Sequence, residues 1–522
     1  MKNISLKIIT SIVLFGFVVS SCTNLEIDET DSRISEGFQG IDDPNSAIEG
    51  LYGQVSGQYG DQANFFALGE VTTDAQLVPT RGTDWGDNGL WRVLHAHNWP
   101  VDHAFFNAVW NQFNSSQLRA SQIIDERSSP TAVNVGEASL LRAYSMWVIL
   151  DNFGQVPFRD TTLPSSSLPV VLTGQEAVDF ILSDLDTAIA NLPSVAARNV
   201  AENKGSKAAA RFMKAKVLLN KHIYLGGTAE SGDMNEVISL VDAIAGEGYA
   251  LQGGYFDLFL ETQDSETIWA FNQYNGNRIY NGLHYNSTSL NGGGWNGFST
   301  LAEYYDMFEG DANSNRVDAA GNPLDGQEER RGGVPPSGTT PGSNVGYGFL
   351  VGQQFALDGT PLKDRAGAPL TFKRDFRDGN GDINFINNDE TTGIRVIKYN
   401  PRDDASGAYN HEIIFRYSDA HLMKAEAMMR SGGDASGMVN ELRVLREASP
   451  LGSVSELDLL AERGRELYVE VWRRNDMIRF GQFTRDWLFK DPTAIGNPDK
   501  NLFPIPPSQL LANPALVQNP GY

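Results

Sequence analysis

Helix-length amphipathic runs occupy both ends of this chain and none continues through its middle, which restricts the fold to a helical body carrying an irregular lobe. From Asp43 the pattern is helical: Asp43 or Asn45 caps, and Ala47, Ile48, Leu51, Tyr52 and Val55 share one face. Further amphipathic helices are expected at 103–126, 137–151, 174–191, 205–223 and 234–246. In 137–151, Leu140, Leu141, Tyr144, Trp147 and Val148 form a stripe to bury. Periodicity resumes at Tyr417 and runs, broken near Gly432 and Pro450, to Phe480. The fold class is mainly α. Paired helices of this size suggest tetratricopeptide-type packing, although no fixed period is detectable.

Between about Tyr249 and Tyr399 the composition changes. A strand-like piece, Thr267 to Asn272, is followed by stretches rich in Gly, Asn, Asp and Pro at 291–297, 310–348 and 375–393. Long irregular segments inside a folded protein usually carry function. Residues 41–522 therefore read as a single domain. Its helical scaffold covers about 41–248 and 410–522, and its loop-rich ligand-binding lobe covers about 249–409, joined by loop 72–100. The tail from Leu502 to Tyr522 is proline-punctuated and extended.

Cys22 is the single cysteine. Lys2 and Lys7 form a basic start, Ile8 to Val19 an apolar run too short to span a membrane, and Ser20 and Ser21 are the small residues a signal peptidase accepts. Residues 1–21 thus read as a lipoprotein signal and Cys22 as the acylated residue that fastens the chain to a membrane. Residues 22–40, with Glu26, Asp28, Glu29 and Asp31, read as an acidic flexible tether. Loss of the signal removes two lysines and moves the formal net charge from −24 to −26. Such a balance argues against nucleic acid and anionic polymers and favours a neutral ligand.

Several blocks in order resemble the SusD/RagB family of surface glycan-binding lipoproteins of Bacteroidetes. They are Leu141-Arg-Ala-Tyr144 with Gly154-Gln-Val-Pro157, Ala208-Ala-Ala-Arg211 with Leu218-Leu-Asn220, and Arg416-Tyr-Ser-Asp419 with Leu422 to Ala427. Arg463 to Tyr468, Trp472 to Asp476, Arg479-Phe-Gly481, Leu502 to Pro506, Asn513-Pro514 and Gln518 to Tyr522 complete the likeness. The resemblance implies four tetratricopeptide-like helix pairs and an irregular lobe holding the ligand. It also implies a non-enzymatic role: an oligosaccharide or polysaccharide is captured at the cell surface and passed to a SusC-like TonB-dependent transporter in the outer membrane.

Sugar binding without chemistry needs flat aromatic faces and planar polar groups on a rigid platform. Two segments supply them: Thr72 to Trp99, and Tyr274 to Phe298 with Tyr280, Tyr285, Asn286 and Gly292-Gly-Gly-Trp-Asn296. Trp85 and Trp295 are the expected stacking platforms, with Tyr280 and Trp91 as further walls. Arg81, Asp84, Asp87, Asn88 and Asn296 are the expected hydroxyl binders. For Trp91, within Leu90-Trp-Arg-Val-Leu94, core packing is an equal alternative. Trp99, Trp110, Trp147, Trp269 and Trp472 are assigned to the core.

Other clusters read as structural. Residues 462–480 look like one charged helix in which Glu466 and Glu470 have basic neighbours three or four residues away, an ion-pair network in which both stay ionised. His95, His97 and His103 have a spacing that could hold a metal, but without a nearby cysteine or a clean facial pattern they read as ordinary hydrogen-bonding histidines. No cofactor is expected. A calcium loop of Asp378, Asn380, Asp382, Asn384 and Asp389 is a weaker alternative to a metal-free turn, because Ile383 stands where an EF-hand needs glycine.

The glycan classes favoured by charge are neutral β-glucans such as laminarin, or fructans such as levan. Peptide capture, as on the RagB side of the family, is a second reading. A third is glycoside hydrolysis by Asp84 and Asp87, which requires carboxylates about 5–9.5 Å apart with divided pKa values. Labelled palmitate fed to expressing cells should be incorporated into the chain, and Cys22→Ser should abolish the incorporation.

Overall fold

Four of the long helices begin where a side chain holds their first free amides. Asp43 accepts from Asn45 and Ser46 at the start of α1 (Pro44–Ser56). Two short helices follow, α2 (Asn64–Glu70) and α3 (Leu90–His95), and His103 caps α4 (Ala104–Ile124) through Phe105 N. The expected helix at 137–151 is longer, α5 (Ala132–Phe153), because Thr131 and Asn134 form a capping box upstream. The series continues with α6 (Gly174–Asn191), α7 (Lys207–Tyr224) and α8 (Ser231–Ala245). Short helices α9 (Gly276–Gly282) and α10 (Ala302–Tyr305) lie in the middle of the chain. The last five are α11 (Tyr417–Arg430), α12 (Ser436–Leu445), α13 (Glu456–Leu467), α14 (Arg473–Arg479) and α15 (Pro507–Ala512).

This is a computed structural model, and it describes residues 37–260, 264–274, 276–287, 293–312, 326–333, 347–356, 360–399 and 411–522. Cys22, nearly all of the tether and Gly292 lie outside the described residues. Among the described residues no helix is long and apolar enough to cross a membrane.

From α4 to α8 each helix packs on the next; α8 then packs on α11, and α11 on α13. The strands are short. They are β1 (Gln155–Phe158), β2 (Val170–Thr173), β3 (Thr267–Phe271), β4 (Gly332–Gly333), β5 (Tyr347–Leu350), β6 (Gly352–Gln353), β7 (Thr371–Phe372), β8 (Arg395–Ile397) and β9 (Glu412–Arg416). They pair antiparallel as β1–β2, β3–β9, β4–β5–β8 and β6–β7. Trp99, Trp110, Trp147, Trp269 and Trp472 are all buried, as the sequence suggests. Phe415 of β9 stacks on Phe212 of α7 at 4.3 Å between centroids and meets Trp269 and Trp472, so the β3–β9 pair is anchored in the helical core.

The charged stretch 462–480 is not one helix. It breaks into α13 and α14, with Val469 and Val471 at φ +62° and +72° between them. Long-range partners outweigh local helix bonding here. Val471 N donates to Glu70 Oε1 at 2.7 Å, and Glu470 pairs with Lys398 and Arg416 rather than with a helical neighbour. Glu466 Oε1 accepts from Arg416 at 2.6 Å and Arg446 at 2.9 Å, and its Oε2 accepts from Arg330 at 3.1 Å. All four side chains are buried. Burial pushes the Glu466 carboxyl up, but the guanidiniums of Arg446, Arg416 and Arg330 outweigh it and hold the group well below the usual range.

The buried carboxylates divide into two classes. Burial also raises Glu462, Glu426 and Asp74, yet their arginine partners bring each down to about 2. Glu70 goes the other way: burial lifts it to about 7, because its Oε2 has no partner and Val471 N offsets little. Depressed groups stabilise the fold above the ordinary carboxylate pKa of about 4.3 and lose that contribution as pH falls through their folded values. A raised group reverses the sign, so ionisation of Glu70 above about pH 4.3 in the unfolded chain costs stability up to its folded pKa. The melting-temperature difference between Glu70→Gln, which keeps the acceptor for Val471, and the wild type should therefore shift in favour of the variant as pH rises from about 5 to 7, and stay constant between about 4.3 and 2, where the depressed carboxylates lose their contribution in both chains.

Candidate functional site

The two aromatic segments meet through a backbone bridge. Leu77 and Ser299 exchange hydrogen bonds at 2.8 and 2.9 Å, laying the loop after α2 against the end of the mid-chain segment. Four residues on, Arg81 and Asp84 exchange backbone bonds of 2.9 and 3.0 Å and close a tight turn that projects Trp85. Trp85, Asp87 and Asn88 all have left-handed backbones, at φ +58°, +37° and +51°. Such conformations cost non-glycine residues about 1–3 kcal/mol each and concentrate at binding sites.

Trp85 donates from Nε1 to the Trp295 carbonyl at 2.8 Å. Its ring also meets Trp91 and Phe298 edge to face, each at 5.9 Å. A side chain at 297 would strike it: a Cβ built on Gly297 lies 2.5 Å from Cε2 and Cζ2 of Trp85. Trp295 N donates to the Tyr280 carbonyl of α9 at 2.6 Å, and the Trp295 and Tyr280 rings stack at 5.2 Å and 23°. Trp295 is 39% exposed. The glycines before it have a packing reason: Gly293, at φ +77°, would drive a Cβ to 1.8 Å from the Tyr285 carbonyl.

A polar cluster adjoins these rings. Asp84 Oδ2 accepts from the Tyr285 hydroxyl at 2.6 Å and from Arg365 at 3.3 Å. Arg365 donates from Nε to Glu390 at 2.6 Å and lies 4.0 Å over the Tyr285 ring. The Glu390 bond raises the Arg365 pKa further, so its charge is permanent. Burial and Asp84 together push the Tyr285 hydroxyl up, keeping it a neutral donor. Arg365, Glu390 and Tyr274, whose hydroxyl pairs with that of Tyr280, were not singled out in the sequence. The Asp364-Arg-Ala-Gly367 turn is legible, but the charge partners of Arg365 are not.

Three expected ligand contacts are corrected. Arg81 is buried and spends its donors on the Asn296 and Asp389 carbonyls, Thr392 and Ser299 at 2.8–2.9 Å. Burial lowers its pKa to about 10, still well above neutrality. Asn296 is fully buried, donating to the Glu390 carbonyl and accepting from Arg395 Nε and Nη2 at 3.0 and 2.8 Å. Trp91 is core, with its indole on Asp87 at 2.8 Å and its ring between Phe105 and Phe298. These residues build the floor of the site. Trp85, Trp295, Tyr280, Asp84, Asp87 and Asn88 remain at or near its surface.

The metal candidates do not fit a cation. Asp378 gives Oδ1 to the amides of Asn380 and Asp382 and Oδ2 to Asn384, while Asp389 pairs with Lys373 and Thr391. That is a self-satisfied Asx turn. His95 bonds the Gln76 and Leu488 carbonyls, His97 that of Thr72, and His103 that of Leu90. Among the described residues no three His, Cys, Asp or Glu side chains are grouped to hold a metal.

Comparison with known proteins places this architecture. The chain is 26% identical over 557 residues to the starch-binding protein SusD of Bacteroides thetaiotaomicron, covering 97% of this chain and 96% of that one. Its fold is similar to that of surface glycan-binding protein A from Bacteroides uniformis, with a TM-score of 0.64 at 18% identity over 91% of this chain and 98% of that one. A laminarin-binding SusD-like protein also gives a TM-score of 0.64, at 19% identity over 93% of this chain and 100% of that one. Residues 265–522 match the SusD family model. With these matches, the chain belongs to the SusD/RagB family.

Proposed function

We propose that this protein is a non-enzymatic glycan-binding lipoprotein that captures a neutral polysaccharide or oligosaccharide at the cell surface and hands it to a SusC-like TonB-dependent transporter. The observation that carries the reading is the stacked Tyr280–Trp295 pair, open to solvent and braced by Trp85. Flat rings take the C–H face of a sugar, and the groups beside them, Asp84, Tyr285, Arg365 and Glu390, are planar donors and acceptors suited to hydroxyls.

Charge favours a neutral ligand. Asp84 and Glu390 share the single Arg365, and Asp87 lies exposed nearby, so the rim repels uronate and sulfate. The starch-binding relative and the laminarin-binding fold neighbour add support for a glucan, and levan remains to be compared with both. Hydrolysis finds no support in the geometry: Asp84 is held by Tyr285 and Arg365, and Asp87 by the Trp91 indole. Attachment through Cys22 to the outer membrane would keep the site beside its transporter.

Trp295→Ala should lower glycan affinity by about 2 kcal/mol, roughly thirtyfold, in affinity electrophoresis against starch, laminarin and levan. Its melting temperature should change little, because Trp295 is only partly covered. Trp85→Ala is a poorer test, since Trp85 also packs on Trp91 and Phe298 and its loss costs stability. Unchanged retention in Trp295→Ala would remove the assignment, and capture of peptides instead of glycans would favour the RagB-like reading. Gly297→Ala should also weaken retention several-fold by displacing the Trp85 ring, while circular dichroism stays that of the wild type.

A further inference from the structure

Beside Phe298 lies a small cavity of about 10 Å³, bounded by Gln62, Gln76, Arg278, Asn281, Phe298 and Val469. Four of its polar side chains each keep a buried atom with no partner: Gln62 Oε1, Gln76 Oε1, Arg278 Nε, and both Oδ1 and Nδ2 of Asn281. Gln76, Arg278 and Asn281 are more than nine-tenths buried. Leaving such groups unpaired costs about 1–3 kcal/mol apiece. Five of them around one void point to an occupant.

The donor set identifies its chemistry. Arg278 Nε and Asn281 Nδ2 together offer three hydrogens, and the three carboxamide oxygens offer lone pairs. A cation would face the Arg278 guanidinium and the Lys398 ammonium, which line the same cavity. An anion would face the carboxamide oxygens. A water molecule can accept two hydrogen bonds and donate two, and a volume of about 10–15 Å³ is what one water needs.

We propose that this cavity holds one resident water, which accepts from Arg278 and Asn281, donates to two of the carboxamide oxygens, and thereby ties the aromatic platform to the helical body. The connection is short on both sides. Asn281 follows Tyr280 in α9, and its carbonyl accepts from the Gly297 and Phe298 amides at 2.9 and 3.1 Å, next to Trp295. Gln62 and Gln76 flank α2, whose Glu70 holds the turn between α13 and α14. Arg278 itself is fixed by Glu412 of β9, the Tyr59 carbonyl and the Phe66 ring, so its Nε is a stationary donor.

A high-resolution crystal structure of the soluble chain tests the occupant. The expected result is one peak within about 2.7–3.2 Å of Gln76 Oε1 and of Arg278 Nε or Asn281 Nδ2. An empty cavity, carboxamides paired with one another, or a peak with oxygen contacts of about 2.3–2.6 Å, which would mark calcium, overturns the proposal. Hydrogen exchange tests the tie. Gln76→Leu should raise the exchange rate of the peptide spanning Gly297 and Phe298 several-fold while leaving α4 to α8 unaffected. Exchange identical to wild type in a folded variant overturns the tie. If that variant does not fold, Gln62→Leu, at a less buried position, is read in its place. Neither measurement involves a glycan.

Discussion

Charge buried away from water ties the irregular middle of the chain to the helical body, beside the apolar core that the two share. Glu466 sits at the centre, in contact with Arg330 from the middle of the chain, Arg416 from the end of β9 and Arg446 from the end of α12. Glu266, next to β3, takes a second bond from each of Arg416 and Arg446, and Glu470 adds Lys398, the residue that follows β8. Desolvating so many charges is costly, and removing one partner of such a set leaves another uncompensated at a cost of about 3–5 kcal/mol. The return is positional: segments with little regular structure acquire one place on the helices.

The proposed binding surface depends on the same kind of fixed points. Two further buried arginines, Arg81 and Arg395, both reach Ser299 and Asn296, clamping the loops at 296–300 and 389–393 from below. The rings above are held in place by the fold itself, so a ligand taken there would cost little conformational entropy. Trp85 shows the constraint most directly. Its backbone is left-handed, its indole is tied to Trp295, and its ring lies where only a glycine at 297 leaves room.

Helices were legible because their burial is local in sequence: a stripe such as Leu140, Leu141, Tyr144, Trp147 and Val148 declares its period within four turns. The aromatic residues of the platform were legible for the opposite reason, since Trp295 after a glycine run fits no helix or strand. Where residues looked alike, the sequence misled. Arg81 and Asn296 have the right chemistry for sugar hydroxyls, yet both are buried and committed to carbonyls and to each other's neighbours. The charged run from Glu462 to Arg479 has helical spacing, and still it breaks, because Glu470 and Val471 answer to Lys398, Arg416 and Glu70.

By itself the sequence determined the helical class, the extent of most helices, the aromatic character of the candidate site and the resemblance to its family. Those follow from periodicity, turn chemistry and ordered motifs, all of which are written along the chain. Tertiary structure alone decided which polar residues of the candidate site stay near the surface and which are buried beneath it, and which charges pair. Such partners lie tens to hundreds of residues apart, as Arg365 does from Asp84 and Arg473 from Asp74, and only the folded chain brings them within hydrogen-bond reach.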